Sequence, residues 1–141
     1  MKKSKSVAAL LVLCTLTLLG TSTATYAENQ FGISGGYNFK RESSMIGARY
    51  VIPVNPKFKI VPALALDFEI DEIVLDVDAH IINSGSSFYF LAGLNYANDD
   101  AGLNLGAGLQ VDFTQKTKGF LELKYVSLGW DGMIFQGGVL F

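Results

Sequence analysis

Over residues 101–113 the side chains alternate without exception. Ala101, Leu103, Leu105, Ala107, Leu109, Val111 and Phe113 hold one parity, and Gly102, Asn104, Gly106, Gly108, Gln110 and Asp112 hold the other. Successive side chains of an extended strand point to opposite faces, so the stretch has one wholly apolar face and one polar or small face. A helix would scatter the same residues around its circumference. The period dictates a strand.

The same alternation recurs over residues 31–39, 45–54, 58–68, 72–81, 87–96, 119–126 and 133–141, which makes eight segments in all. The intervening stretches, 40–44, 55–57, 69–71, 82–86, 97–100, 114–118 and 127–132, are short and rich in Asn, Asp, Ser and Gly, as hairpin connections are. Eight strands joined by tight hairpins form an up-and-down meander. An open meander leaves two unpaired edges, and closing it into a barrel removes them. Eight strands also enclose an interior just wide enough for side chains to fill. The expected fold is thus all-β, a closed eight-stranded antiparallel barrel. Pro62 fits it poorly, since a closed barrel has no free edge to excuse a missing N–H, and it is expected to mark a bulge near a rim.

Which face turns outward follows from the charges. Forty-one positions share the apolar parity and none is charged, while Arg49, Lys59, Asp67, Glu72, Asp76, Asp78, Asp112, Glu122 and Lys124, with His80, hold the other. Thirteen of the seventeen aromatic residues lie on the apolar parity, many near segment ends: Phe31, Phe39, Phe68, Tyr96, Phe113 and Phe141 among them. Rings at the ends of an apolar band are what membrane–water interfaces select. About 12 inward positions fill a small eight-stranded core, so forty-one apolar side chains cannot turn inward. The apolar face is expected to meet lipid. Membrane strands need only about 9–11 residues, which these segments supply.

The first 27 residues belong to a different kind of segment. Lys2, Lys3 and Lys5 precede an apolar run over 7–20, and small residues lead to Ala24 and Ala27. That is a secretory signal, with cleavage expected after Ala27, or second best after Ala24. Its apolar run is shorter than the roughly 20 residues of a membrane helix. Lipidation at Cys14 is disfavoured, because Leu13 stands where lipoprotein signals carry a small residue. Residues 28–141 then form one domain with no cysteine, so disulfides and thiolate sites are excluded from it. Removing three lysines leaves eight basic residues against thirteen acidic, a net charge of −5, which argues against nucleic acid as a partner.

Met133, Phe135, Gly137, Val139 and Phe141 alternate up to a terminal phenylalanine. This resembles the C-terminal strand of bacterial outer-membrane barrels, where a final aromatic with alternating apolar residues is read by the barrel-assembly machinery. The mature chain as a whole resembles the small eight-stranded class, of the OmpX or OmpA-barrel type. The resemblance implies a transmembrane barrel in the bacterial outer membrane, with outer-membrane lipids and the assembly machinery as partners. It implies no catalytic residues, cofactor or metal.

Candidate sites are few. Asp67, Glu69, Asp71, Glu72, Asp76 and Asp78 crowd one connection and its flanks, followed by His80. Such oxygens suit a hard cation, and the imidazole adds a nitrogen donor. The more ordinary reading is an internal ion network with Arg49, Lys59 and Lys124 as partners, because unpaired buried charge is costly. His80 is the only histidine, so any histidine-dependent mechanism must use it. Lipid A deacylases carry a His-x-Ser pair on the lipid side of their barrels. Here His80 is followed by two isoleucines and falls on the inward parity. Gly32, Gly36, Gly93, Gly102, Gly106, Gly108 and Gly138 on the inward parity either lighten a narrow path or ease tight curvature, and curvature is the favoured reading.

With both termini periplasmic, the outside connections 40–44, 69–71, 97–100 and 127–132 are all short and three of them carry acids without a matching base; Lys40 and Arg41 are the main cations of this acidic rim, and Trp130 sits in the last connection. The expectation is a monomeric barrel with a structural or surface-interaction role and no enzymatic activity. The alternatives are a narrow channel for small polar solutes or ions, and a soluble periplasmic lipid-binding barrel.

Overall fold

The protein is described here from a computed structural model, which covers residues 28–69, 71–83, 85–127 and 131–141. Residues 1–27, expected to be a secretory signal and including Cys14, and Trp130 lie outside the described residues. Eight strands follow in order: β1 (Gln30–Asn38), β2 (Ser43–Asn55), β3 (Phe58–Asp67), β4 (Glu72–Ile82), β5 (Phe88–Ala97), β6 (Asp100–Asp112), β7 (Lys118–Val126) and β8 (Gly132–Leu140). Each pairs antiparallel with its neighbours in sequence, and β1 pairs with β8 to close the barrel. Every strand lies within two residues of the segment that the alternation marks out.

Turn chemistry closes the hairpins. Asn98 and Asp99 alone connect β5 to β6, with φ of 53° and 61°. Both central residues of a type I′ turn need positive φ, and Asn and Asp tolerate it best among non-glycine residues.

The outward assignment holds along the strands. Leu103 and Leu105 are 59% and 60% exposed, Phe90 is 61% and Ile73 is 63%, whereas Glu122 and Lys124 are each 1%. All the large apolar residues that stand exposed lie on the parity expected to face outward. Two places depart from the rule: Val51, Ile52 and Pro53 of β2 are buried in succession, and Pro62 of β3 is buried on the outward parity. The β2–β3 register shifts between Pro53 and Asn55. A bulged strand bends there and loses strict alternation.

That shift also corrects the expectation for Pro62. Pro62 pairs in regular register with Val77 of β4, and the bulge sits instead at Pro53–Asn55. Between β2 and β3 the pairing runs from Met45–Asp67 to Arg49–Ala63 and resumes at Ile52–Ile60. Pro62 stands opposite this gap, where no ladder hydrogen bond is asked of its nitrogen.

The lumen is layered. Met45, Ala65, Val74, Ala97, Val126 and Ile134 form an apolar cluster toward one end, and Val51, Val61, Phe120 and Leu140 form another toward the end that carries the termini. Arg49, Asp76, Asp78, His80, Glu122, Lys124 and Gln136 lie buried between these layers, while Asn38, Ser43 and Asp67 are buried at the rim beyond the first.

Candidate functional site

Glu122 on β7 is the hub of the polar layer. Arg49 on β2 reaches across the lumen with a two-pronged grip, Nη1 donating to Oε1 at 2.6 Å and Nη2 to Oε2 at 2.8 Å. Tyr89 Oη donates to Oε1 at 2.7 Å and Gln136 Nε2 to Oε2 at 2.6 Å. Four donors thus saturate one carboxylate in a site with almost no solvent contact. Charge-assisted, bidentate pairs of this kind are the strong ones. The Arg49 guanidinium also lies 4.0 Å from the ring centre of Phe120.

Lys124, two residues along β7, serves the acids of β4. Its Nζ donates to Asp76 Oδ2 at 2.9 Å and Asp78 Oδ2 at 3.3 Å. Asn104 Nδ2 donates to the other oxygens of the same pair, at 2.9 and 2.7 Å, and accepts from Asn95 Nδ2 at 2.8 Å. Asp76 and Asp78 therefore hold no vacant cation site; an ammonium and an amide already occupy their oxygens. Within the acidic stretch the structure splits the residues. Asp67 accepts from Ser43 Oγ at 2.7 Å and from the Glu69 amide at 3.1 Å. Glu72 accepts from the Asn98 amide at 2.9 Å.

The expected partner set is corrected in two members: of Arg49, Lys59 and Lys124 only Lys124 pairs with acids of this stretch, Arg49 pairing instead with Glu122. Lys59 makes no ion pair with these acids; it stands half-buried at the mouth on the terminus side. The hub acid, Glu122, came from β7, and nothing in the local sequence marks it out from any other inward acid.

His80 faces the lumen, stacked on Tyr89 with ring centres 4.5 Å apart. Its Nε2 lies 3.6 Å from Glu122 Oε1. It is thus set away from the lipid face, where the deacylase-type His-x-Ser pair acts.

Inward glycines face the long side chains in register: Gly32 with Arg49, Gly93 with Asp78, Gly106 with Lys124, Gly108 with Glu122 and Gly36 with Gln136. A Cβ on Gly106 would lie 2.7 Å from Lys124 Cβ, and one on Gly108 2.7 Å from Tyr89 Cε2. The room these glycines leave is filled by neighbours, and it opens no path.

The two rims differ in charge. Among the described residues, Glu42, Asp67, Glu69, Asp71, Glu72, Asp99, Asp100 and Asp131 gather at the end away from the termini, with Lys40 and Arg41. Asp131 is clasped by Lys40, and Arg41 Nη2 lies 3.6 Å away, so the first and last connections of this rim are tied together. The hydrogen bond from Lys40 holds the Asp131 carboxyl below the usual carboxylate range. At the terminus end, among the described residues, the side chains of Lys57, Lys59, Lys116 and Lys118 stand with the carboxylates of Glu28 and Asp112.

No protein-family model matches the chain, and no curated protein matches it. Solved structures do. A de novo designed transmembrane β-barrel superposes with a TM-score of 0.69 at 13% identity, over 84% of this chain and 97% of its own. A second designed barrel, solved by solution NMR, gives 0.68 at 12% identity, over 85% and 97%. The Yersinia pestis outer membrane protein Ail, in a phospholipid nanodisc, gives 0.52 at 16% identity, over 81% and 99%. The fold is that of a small eight-stranded transmembrane β-barrel. Ail is the natural bacterial outer-membrane protein among these three likenesses.

Proposed function

We propose that this protein spans a bacterial outer membrane as a monomer and has a structural or surface-interaction role without catalysis. One observation carries the reading: an uncharged, ring-rich exterior wraps a lumen closed by the Arg49–Glu122 and Lys124–Asp76–Asp78 pairs. A lipid-facing exterior of this kind is costly in water, and a plugged eight-stranded lumen suits a scaffold better than a pore. With the termini periplasmic, the acidic rim is the outside surface, and its charge favours cationic partners. β8, running up to Phe141, is the segment offered to the assembly machinery, and outer-membrane lipids are the exterior's solvent.

Cell fractionation with a heat-modifiability gel tests this. The protein is expected in the outer-membrane fraction, and unboiled samples are expected to migrate apart from boiled ones. Extraction in aqueous buffer without detergent would overturn the reading in favour of a soluble lipid carrier. In planar bilayers the sealed lumen should give no discrete conductance steps; regular steps would replace the scaffold with a channel.

A further inference from the structure

The mouth beside the chain termini is built differently from the rest of the molecule. Two cavities open there, of about 320 and 420 Å³, and they share Pro53, Lys59 and Lys118 as walls. Lys59 rises from β3 and Lys118 from β7, which stand on opposite walls of the eight-stranded ring, so the two ammonium groups enter one space from opposite sides. Lys116 borders the first cavity as well. Against these lysines stand Glu28 in the first cavity and Asp112 in the second. Asp112 is mostly exposed and lies 3.6 Å from Lys118. Lys59 donates no hydrogen bond and closes no ion pair among the described residues, although it is half-buried. Elsewhere in the lumen a buried charge has its counterion, as Arg49 has Glu122 and Lys124 has Asp76 and Asp78. A half-buried ammonium without an acceptor is unfavourable, and a second one facing it adds repulsion. An oxyanion placed between them removes both costs.

The geometry points to an oxyanion-binding site at this mouth, in which Lys59 and Lys118 hold a phosphate group from opposite walls and Lys116 closes over it. Gln30, Gln110 and Gln115 supply amide donors around the same walls. The volume admits a phosphate ester and not only the bare ion, since small-molecule sites begin at about 300 Å³. The phosphate can belong to a free solute or to the headgroup of a phospholipid in the adjoining leaflet.

The site is testable on the folded protein in zwitterionic detergent micelles, without reference to where the protein lives in a cell. Lysine side-chain NMR resonances are followed while inorganic phosphate, glycerol phosphate or micellar phosphatidylglycerol is added at constant ionic strength. Saturable shifts at Lys59 and Lys118, absent with sodium chloride, are expected. Saturation by the soluble phosphates identifies a free solute; saturation by phosphatidylglycerol alone identifies a headgroup. Lys59→Gln with Lys118→Gln should weaken the binding about tenfold or more, as loss of charge-assisted hydrogen bonds does. Lys40→Gln at the opposite rim should leave it unchanged. Lys59→Arg, which keeps the charge, guards against a folding defect, and each variant is first checked for heat-modifiable mobility. Shifts that saturate with none of the three phosphate probes, or that chloride reproduces, overturn the site.

Discussion

Leu105 and Gly106 are neighbours on β6, yet they obey opposite rules. Leu105 is 60% exposed and needs only to be apolar. Gly106 faces Lys124, 1% exposed, and must be small because the Leu123 carbonyl and the Lys124 Cα and Cβ stand where a side chain would begin. On the exterior, energy depends on a solvent and is shared over many interchangeable side chains. In the lumen it depends on partners, and each partner is particular. Tolerance to substitution should therefore differ sharply between faces that alternate residue by residue.

The largest test of that contrast is Glu122→Leu. It strands the Arg49 guanidinium and the donors of Tyr89 and Gln136, and should cost about 3–5 kcal/mol in urea unfolding from lipid vesicles. Adding Arg49→Met should restore much of the loss, because replacing both members of a buried pair by apolar groups is often near neutral. A single-variant cost below about 1 kcal/mol would break the comparison. On the exterior, Leu105→Arg places a charge at the middle of a strand and should cost about 2–4 kcal/mol in bilayers. If it proved silent, the exterior would not be facing hydrocarbon.

Gly106→Val adds bulk where Lys124 passes and should cost about 1–3 kcal/mol by overpacking, while Ala107→Val on the outward side of the same strand should change stability far less. The gap between the two sharpens the contrast at adjacent positions. The smallest effect belongs to the exposed Asp131 pairing with Lys40, where Lys40→Ala should cost under about 1 kcal/mol and less still in high salt. Its pH dependence has a definite sign. Because the folded-state pKa of Asp131 lies below its unfolded value, the contribution is present above the ordinary aspartate pKa of about 3.9 and is lost as pH falls below it. A thermal-stability series between pH 6 and pH 3 should show the wild-type advantage over Lys40→Ala shrink.

Much of the barrel could be read from residue order. The eight segments, the hairpins between them and the outward parity follow from alternation and turn chemistry, which are local properties of the chain. Pro62 and the stretch 51–53 could not be read this way. A bulge is decided by how two strands pair, and Pro53 carried no stronger signal than Pro62. Candidate-site residues divided likewise. That Asp76, Asp78, Arg49 and Lys124 turn inward was legible from parity, whereas the place of Lys59 at an open mouth was not. Its parity is the same as that of the sealed residues, and only its height along the barrel sets it apart.

By itself the chain's order determined which side chains turn outward, how many strands there are and where they turn, because a strand's two-residue period is written in neighbouring positions. Tertiary closure decided which charge meets which. Arg49 finds Glu122 from 73 residues away, and Lys124 finds Asp76 from 48. Those meetings depend on register and on strands that face each other across the ring, and no local pattern encodes either. The same closure brings Lys59 and Lys118 from opposite walls into a single cavity, where the repulsion between them exists only once the barrel is shut.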